Sequence, residues 1–225
     1  MSNVEYKKRG PRDEVPFWMN GLIALEHYYT RKPTSKLIVK KVNLVLKNGR
    51  LYRFETPSGV FSFGKIDKAS RVLIENAVVE GKKLLDLGCG YGVIGIVLKG
   101  ENPDLEVYMS DINERAVRYS KINARLNNVF LDIRKGAFFE PWKASVFDMI
   151  FLNPPMSAGK RVVLKMIQES VEHLSNGGSL QVVAFHNKGG SYIKKAMRER
   201  FGNVEDICKT GGIRVYRSVR RDERA

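Results

Sequence analysis

The sequence predicts an α/β fold. Its centre is a mostly parallel sheet of seven strands with an antiparallel hairpin at one edge, and a small N-terminal β-hairpin lobe precedes it. Two observations carry this reading. From residue 82 onward, short apolar runs alternate with amphipathic stretches of helical period, the pattern that covers a parallel sheet with helices on both faces. The chain then closes on two β-prone segments joined around Gly211-Gly212, a link too short for a crossover helix. The 225 residues, 43% hydrophobic and 28% charged, allow one sizeable core with a small addition.

Residues 1 to about 35 read as a mobile arm, with Lys7, Lys8, Arg9 and Arg12 in a Gly-Pro context. Leu37–Leu46 and Leu51–Glu55 flank Lys47-Asn48-Gly49-Arg50, and Asn-Gly between β-prone runs predicts a hairpin. The piece VFSFG then leads to Asp67, which is placed to cap a helix carrying Ala69, Val72, Leu73 and Ala77. KKLLDLG is a strand ending in glycines, and Val93–Lys99 is the helix after it. EVYMSD (106–111) is the next strand, and Asn113–Asn127 is a helix. VFLDIRKG (129–136) and FDMIFLN (147–153) are strands, the latter apolar enough to be central. Val162–Leu174 reads as a helix stopped by Asn176-Gly177-Gly178. SLQVVAF (179–185) is a strand, a helix follows near 190–201, and VEDICKT and IRVYRSV form the last pair. This divides the chain into a basic arm and small lobe, 1–59, and a main domain, 60–225.

Charge and composition narrow the function. The net charge of +15 draws the protein toward phosphate backbones. No apolar run approaches membrane-span length and the start lacks a secretion signal, so a cytoplasmic location with no membrane partner is expected. Cys89 and Cys208 do not suggest a disulfide, and neither the cysteines nor His27, His173 and His186 have metal or triad spacing. No metal is therefore expected. Basic residues collect in front (Arg31, Lys32, Lys36, Lys40, Lys41) and behind (Lys194, Lys195, Arg198, Arg200, Arg214, Arg217, Arg220, Arg221, Arg224), with Tyr28 and Tyr29 near the front set. Aromatic rings beside cations suit unpaired bases, so the front lobe is expected to grip RNA.

Asp86-Leu87-Gly88-Cys89-Gly90-Tyr91-Gly92 follows a strand and opens a helix, which in an open parallel sheet is a binding crevice. Gly90, Gly92 and Gly95 also match a dinucleotide loop, with Asp111 at the distance expected for a ribose ligand. Asp86 argues against that, because a carboxylate there repels a pyrophosphate. It suits S-adenosylmethionine, which carries an ammonium and a sulfonium and no phosphate. Asp111 has two oxygens for two ribose hydroxyls, and helix capping is its other natural role.

Asn153-Pro154-Pro155-Met156 ends the fourth strand of the main domain beside that crevice. Pro154 holds Asn153 extended, so the corner is stiff. A base amine is a poor nucleophile, its lone pair delocalised into the ring. The Asn153 side-chain carbonyl and the Pro154 main-chain carbonyl can accept its N–H groups and draw it toward a tetrahedral shape, with positioning and electrostatics lowering the barrier.

Together these segments resemble the methyltransferase small domain of ribosomal RNA small-subunit guanine-N2 methyltransferases, short archaeal members especially. The resemblance runs from about Tyr28 to Ser218 and rests on GVFSFGKIDKASRVLIENA (59–77), DLGCGYGVIGI (86–96), SDINERAV (110–117), NPPMSAGK (153–160) and FGNVE with GGIRVYRS (201–218). It implies a Rossmann-like class I methyltransferase fold with S-adenosylmethionine as cofactor. Asp86, Gly88, Cys89, Gly90 and Gly92 then surround the methionine part, Asp111 and Ile112 the ribose. Phe63 and Asp67 close from the front, Asn153 reaches the cofactor, and Asn153, Pro154, Pro155 and Met156 hold the target amine. Where relatives often carry an acid for the adenine amine, this chain has Gly136-Ala137-Phe138-Phe139, which leaves backbone or stacking contacts from Ala137 and Phe138. Met156 stands where many amine methyltransferases have an aromatic ring, which keeps guanine N2, cytosine N4 and adenine N6 all open, with cytosine N4 the main rival to guanine N2.

Lys160 and Arg161, just past the corner, are the phosphate candidates, with Tyr28, Tyr29, Arg31 and Lys32 as further RNA contacts. The expected partner is ribosomal RNA or the small subunit, with the protein a monomer. Alternatives are a protein glutamine N-methyltransferase, since the same corner serves side-chain amides, and a non-catalytic RNA-binding ribosome assembly factor.

Overall fold

The computed structural model describes residues 32–222. Tyr28, Tyr29, Arg31 and the arm cations, with His27 and Arg224, lie outside the described residues. The chain runs β1 (Val39–Val45), β2 (Leu51–Pro57), α1 (Lys68–Glu75), β3 (Lys83–Leu87), α2 (Val93–Glu101), β4 (Glu106–Asp111), α3 (Glu114–Leu126) and β5 (Asp132–Lys135). It continues with β6 (Phe147–Leu152), α4 (Lys160–Ser170), β7 (Leu174–Phe185), α5 (Gly190–Phe201), β8 (Glu205–Thr210) and β9 (Ile213–Val219).

Seven strands form the main sheet, as the sequence leads one to expect, and their order is β5-β4-β3-β6-β7-β9-β8. β5 through β7 pair in parallel, while β9 runs antiparallel to both β7 and β8. The strand order steps outward from β3 to β5 and then returns to β6 on the other side of β3. Ligands in such sheets bind beyond the carboxyl ends of the strands at that reversal, and both candidate segments, after β3 and after β6, end there.

One apolar core lies between the sheet and α1, α2 and α3, and includes Leu73, Ile96, Met109 and Phe151. The other lies under α4 and α5 and includes Trp142, Phe147, Val163 and Ile193. β6 is buried from Met149 to Leu152, which explains its unbroken apolar run.

The β1–β2 hairpin shares the first core through Leu44, Tyr52 and Phe54. Its outer edge on β2 is closed by two asparagines one turn apart, Asn123 in α3 and Asn127 at its C-terminal cap. Asn123 accepts from the Glu55 N–H (2.7 Å) and donates to its carbonyl (3.0 Å). Asn127 does the same to Arg53 (2.9 and 2.7 Å). A helix thus supplies side-chain amides in place of a third strand, satisfying an edge that would otherwise lie open.

Two elements differ from the sequence expectation. The helix expected over Val162–Leu174 starts earlier and ends at Ser170, followed by a short 3-10 turn, and β7 already begins at Leu174. Asn176-Gly177-Gly178 is a bulge within β7: its register against β6 jumps from Phe147↔Leu174 to Met149↔Ser179. A Cβ on Gly178 would meet the Ser175 and Asp148 carbonyls at 2.9 and 3.0 Å, so close backbone approach explains that glycine. The strand expected over 129–136 shortens to Asp132–Lys135, and Phe130 before it is 92% exposed.

Candidate active site

The glycine loop after β3 is fixed from below. The Gly88 and Cys89 N–H groups donate to the Ser110 carbonyl at 2.8 and 3.0 Å, and the Gly90 N–H donates to Asp111 Oδ2 at 2.8 Å. Gly88, Gly90 and Gly92 all have positive φ, the region that side chains resist. Gly92 turns the chain into α2 with φ of 95°, and a Cβ there would strike Ile96 Cδ1 at 2.8 Å. Its role is therefore the tight turn, and it does not line a cleft. Gly95 lets α2 approach β4, since a Cβ would meet Met109 Sδ at 2.8 Å.

The two acidic residues divide differently from the sequence expectation. Asp86 is 1% exposed, beneath the loop, and its Oδ2 accepts from the Gly95 N–H at 2.9 Å. It braces the first turn of α2 and does not line the clefts described below. Burial, with Asp111 nearby, pushes its carboxyl up to about 7. Asp111 does line the clefts, at the end of β4. Its carboxylate accepts from the Gly90 N–H through Oδ2 and from the Asn113 N–H through Oδ1 at 2.8 Å, with the Ile112 N–H also directed at it. Burial raises it to about 6. Asn113, not Asp111, caps α3, with its Oδ1 accepting from Arg115 and Ala116.

Three clefts meet here. The first is apolar, walled by Leu87, Ile112, Ala137, Phe138, Val162 and Met166, with Gly88 and Asp111 also on its lining. The Ala137 N–H already donates to Glu140 (3.1 Å), so this slot offers a flat ring mainly apolar walls. Phe138 holds φ of 49°, a conformation non-glycine residues rarely adopt, which places its ring on that wall. The second cleft is mixed and more polar than the first, with Asp67, Ser70, Asp111 and Asn153 beside Gly88, Cys89, Gly90, Val60, Phe61 and Ile94. The third holds Asn153, Pro154, Pro155 and Met156 with Phe61, Phe185 and Lys188. Gly88 and Asp111 belong to both the first and second clefts, and Asp67 and Asn153 to both the second and third.

Asn153 leaves β6 on the buried prolines, and its side chain is tied to α1. Its Nδ2 donates to Asp67 Oδ2 at 3.0 Å and to Ser70 Oγ at 2.8 Å. Asp67 caps α1 as expected, accepting from the Ser70 N–H at 2.8 Å.

Phe63 has Lys40 Nζ 4.9 Å from its ring centre, while Phe61, two residues earlier, lines the second and third clefts. Phe-Ser-Phe before a loop does not tell which ring turns inward. Ser70 was also missed, although its spacing from Asp67 is that of a cap contact. Val162 and Met166 come from α4, on the far face of the sheet, and only folding brings them in. Lys160 and Arg161 stand exposed at the start of α4, Lys160 over the Tyr192 ring at 5.3 Å. Lys32 is exposed at the Ile112–Ala137 end, away from Asn153. His173 stacks on Phe139 and His186 bonds the Tyr216 hydroxyl at 2.8 Å, both packing roles. Among the described residues no cluster of three or more His, Cys, Asp or Glu is placed to hold a metal ion, and no helix is long and apolar enough to cross a membrane.

The combination of clefts fits an adenosyl compound with an amino-acid tail: an apolar slot for a ring, a carboxylate for hydroxyls on the lining that the two slots share, and a more polar second slot. The chain is 36% identical to the YbxB protein of Bacillus subtilis over 198 residues, covering 86% of this chain and 98% of that protein. It is 32% identical over 203 residues to the ribosomal RNA small subunit methyltransferase C of Salmonella arizonae, covering 88% of this chain but 54% of the relative. It thus spans about half the length of that relative. Among solved structures, the fold is similar to the Thermus thermophilus 16S rRNA N2 methyltransferase RsmC in complex with AdoMet and guanosine. The TM-score is 0.71 at 23% identity, over 84% of this chain and 52% of that one. The model of the methyltransferase small domain matches residues 51–217. By that match and those identities, the chain belongs to the methyltransferase small domain family.

Proposed function

We propose that this protein is an S-adenosylmethionine-dependent methyltransferase acting on ribosomal RNA, and that it methylates an exocyclic base amine, guanine N2 first, in RNA of the small subunit. The observation that carries the reading is the place of Asn153: it stands on the wall shared by the more polar cleft of the glycine loop and the cleft holding Pro154, Phe61 and Phe185. An amine held there would border the cleft of the glycine loop. The relatives' names support the RNA substrate and the small subunit. The +15 charge supports a polyanion over a protein glutamine. Family membership leaves no place for the dinucleotide alternative.

S-adenosylmethionine supplies an electrophilic methyl group when bound. The apolar slot between Ile112, Phe138 and Met166 would take its adenine, Asp111 its ribose hydroxyls, and the Gly88–Gly90 loop its methionine part. Asn153 Oδ1 and the Pro154 carbonyl accept the two N–H groups of the target amine and localise its lone pair. Phe61 and Phe185, 37% and 39% exposed, offer rings to the base, and Lys188 offers a cation. The amine nitrogen would take the methyl as the sulfur–methyl bond breaks and leaves a neutral thioether, and the alkylated amine would then lose a proton to water, so no strong base is required. Lys160 and Arg161 lie one short turn past the corner, where the phosphates flanking an extruded base would run.

The test is the nucleoside composition of small-subunit ribosomal RNA from cells with and without the gene. Loss of N2-methylguanosine supports guanine, and loss of N4-methylcytidine moves the target to cytosine. An unchanged RNA, with loss of a methylglutamine in protein, refutes the RNA reading. In vitro, Asn153→Ala is expected to keep cofactor affinity and lose at least about tenfold in turnover, the scale of one hydrogen bond.

A further inference from the structure

We infer that Asp67 and Ser70 are positioning residues that hold the Asn153 amide in the orientation that turns its oxygen toward the reacting amine. The inference rests on the proposed function. A primary amide is nearly symmetric in shape, and a half-turn about its last bond exchanges O for NH2. One orientation accepts from an amine; the other sets donor against donor and blocks catalysis. Something must choose, and the proline corner cannot, because it fixes the backbone only.

The opening of α1 makes the choice. A carboxylate only accepts hydrogen bonds. Asp67 Oδ2 takes three donors: the Ser70 N–H at 2.8 Å, the Ser70 hydroxyl at 3.2 Å and Asn153 Nδ2 at 3.0 Å. The Ser70 hydroxyl has its proton committed to Asp67, so toward Asn153 it acts as an acceptor, and it receives Nδ2 at 2.8 Å. Both amide hydrogens of Asn153 thus have partners on α1, and Oδ1 is the polar atom of the side chain left for substrate. The flipped amide would set Oδ1 against the carboxylate and a hydroxyl lone pair. Ser70 is 3% exposed, which holds its hydroxyl in place between Asp67 and Asn153. The helix cap and the catalytic amide share one oxygen, which couples the shape of α1 to the polarity of the site.

The decisive variant is Ser70→Ala. It leaves the Asp67 cap on the Ser70 N–H intact and removes one of the two acceptors of Asn153. Turnover is measured with tritiated-methyl S-adenosylmethionine on small-subunit particles from cells lacking the gene. The expected result is a fall in kcat of about tenfold. In an Asn153→Ala background the same substitution is expected to do nothing more, because its effect passes through that amide. A structural readout runs in parallel. The Asn153 side-chain amide protons, assigned by their loss in Asn153→Ala, are expected downfield and slow to exchange, and one of them loses both traits in Ser70→Ala. Unchanged kcat in Ser70→Ala, an equal loss in both backgrounds, or amide protons indifferent to Ser70 would overturn the inference. Full turnover of Asn153→Ala by itself would instead remove the proposed site, a separate failure, and the amide spectrum would still decide the orientation.

Discussion

Asn123→Ala is expected to loosen the hairpin from the main domain and lower its melting temperature more than any nearby surface change. The Asn123 side chain is fully buried and makes three hydrogen bonds, to the Glu55 N–H, the Glu55 carbonyl and the Tyr91 carbonyl, at 2.7, 3.0 and 2.9 Å. At about 1 kcal/mol net for each bond, the loss is about 3 kcal/mol, and stranded backbone groups act in the same direction. For a chain of 225 residues, roughly 2–4 °C of melting temperature per kcal/mol gives a fall of roughly 6–12 °C. Asn127→Ala is the internal control. It also bonds Arg53 twice, but it is half-buried and water can replace it, so about 1 kcal/mol is expected. The assay is calorimetry, with amide hydrogen exchange to locate the loosened segment at β1 and β2. β2 leads through Gly59 into Val60 and Phe61, so exchange is expected to rise there also. A drop below about 2 °C for Asn123→Ala, or equal drops for the two variants, would refute the claim that these amides hold the hairpin edge.

Three further outcomes are expected. Asp111 is raised by burial to about 6 in the free protein, and a bound diol favours its ionised form. S-adenosylmethionine affinity by calorimetry should therefore weaken about tenfold from pH 7.5 to 5; a flat profile would remove the charge of Asp111 from binding. Asp86 at about 7 and Asp111 at about 6 lie above their unfolded values, so the folded state binds more protons than the unfolded state between about pH 4 and 7. Their contribution to stability thus grows as pH falls through that window. The ligand-free protein should melt higher at pH 5.5 than at pH 8, and Asp86→Asn should flatten the difference; the opposite slope would sink the assignment. Lys160→Ala with Arg161→Ala should weaken RNA binding and reduce the salt slope by about 1.4, at about 0.7 for each phosphate contact on a single strand, while leaving cofactor affinity intact. An unchanged slope would place the RNA elsewhere.

The order of elements, the parallel sheet with its antiparallel edge, and the two loops that bear the chemistry were all legible in the linear chain. Alternation of apolar runs with helical periods, and glycines or prolines at strand ends, are local signals, and local backbone preferences carry them. Asp67 as a cap followed from the helical period after it, and Asp111 and Asn153 as residues of one crevice from the rule that a parallel sheet gathers the ends of its strands. The chain alone could not tell that Asp86 turns under the loop while Asp111 faces the cleft, nor that Phe61 takes the wall. It misread Asn176-Gly177-Gly178 as a helix stop, because a glycine needed for close backbone approach inside a sheet looks the same as one needed to end a helix. The apolar slot draws Val162 and Met166 from a helix on the opposite face of the sheet, and the Asn153 amide takes its direction from Asp67 and Ser70, more than eighty residues earlier in the chain. Those decisions belong to tertiary structure, because a side chain's direction is set by whichever groups fill the space around it, and distant segments fill it only once the sheet has closed.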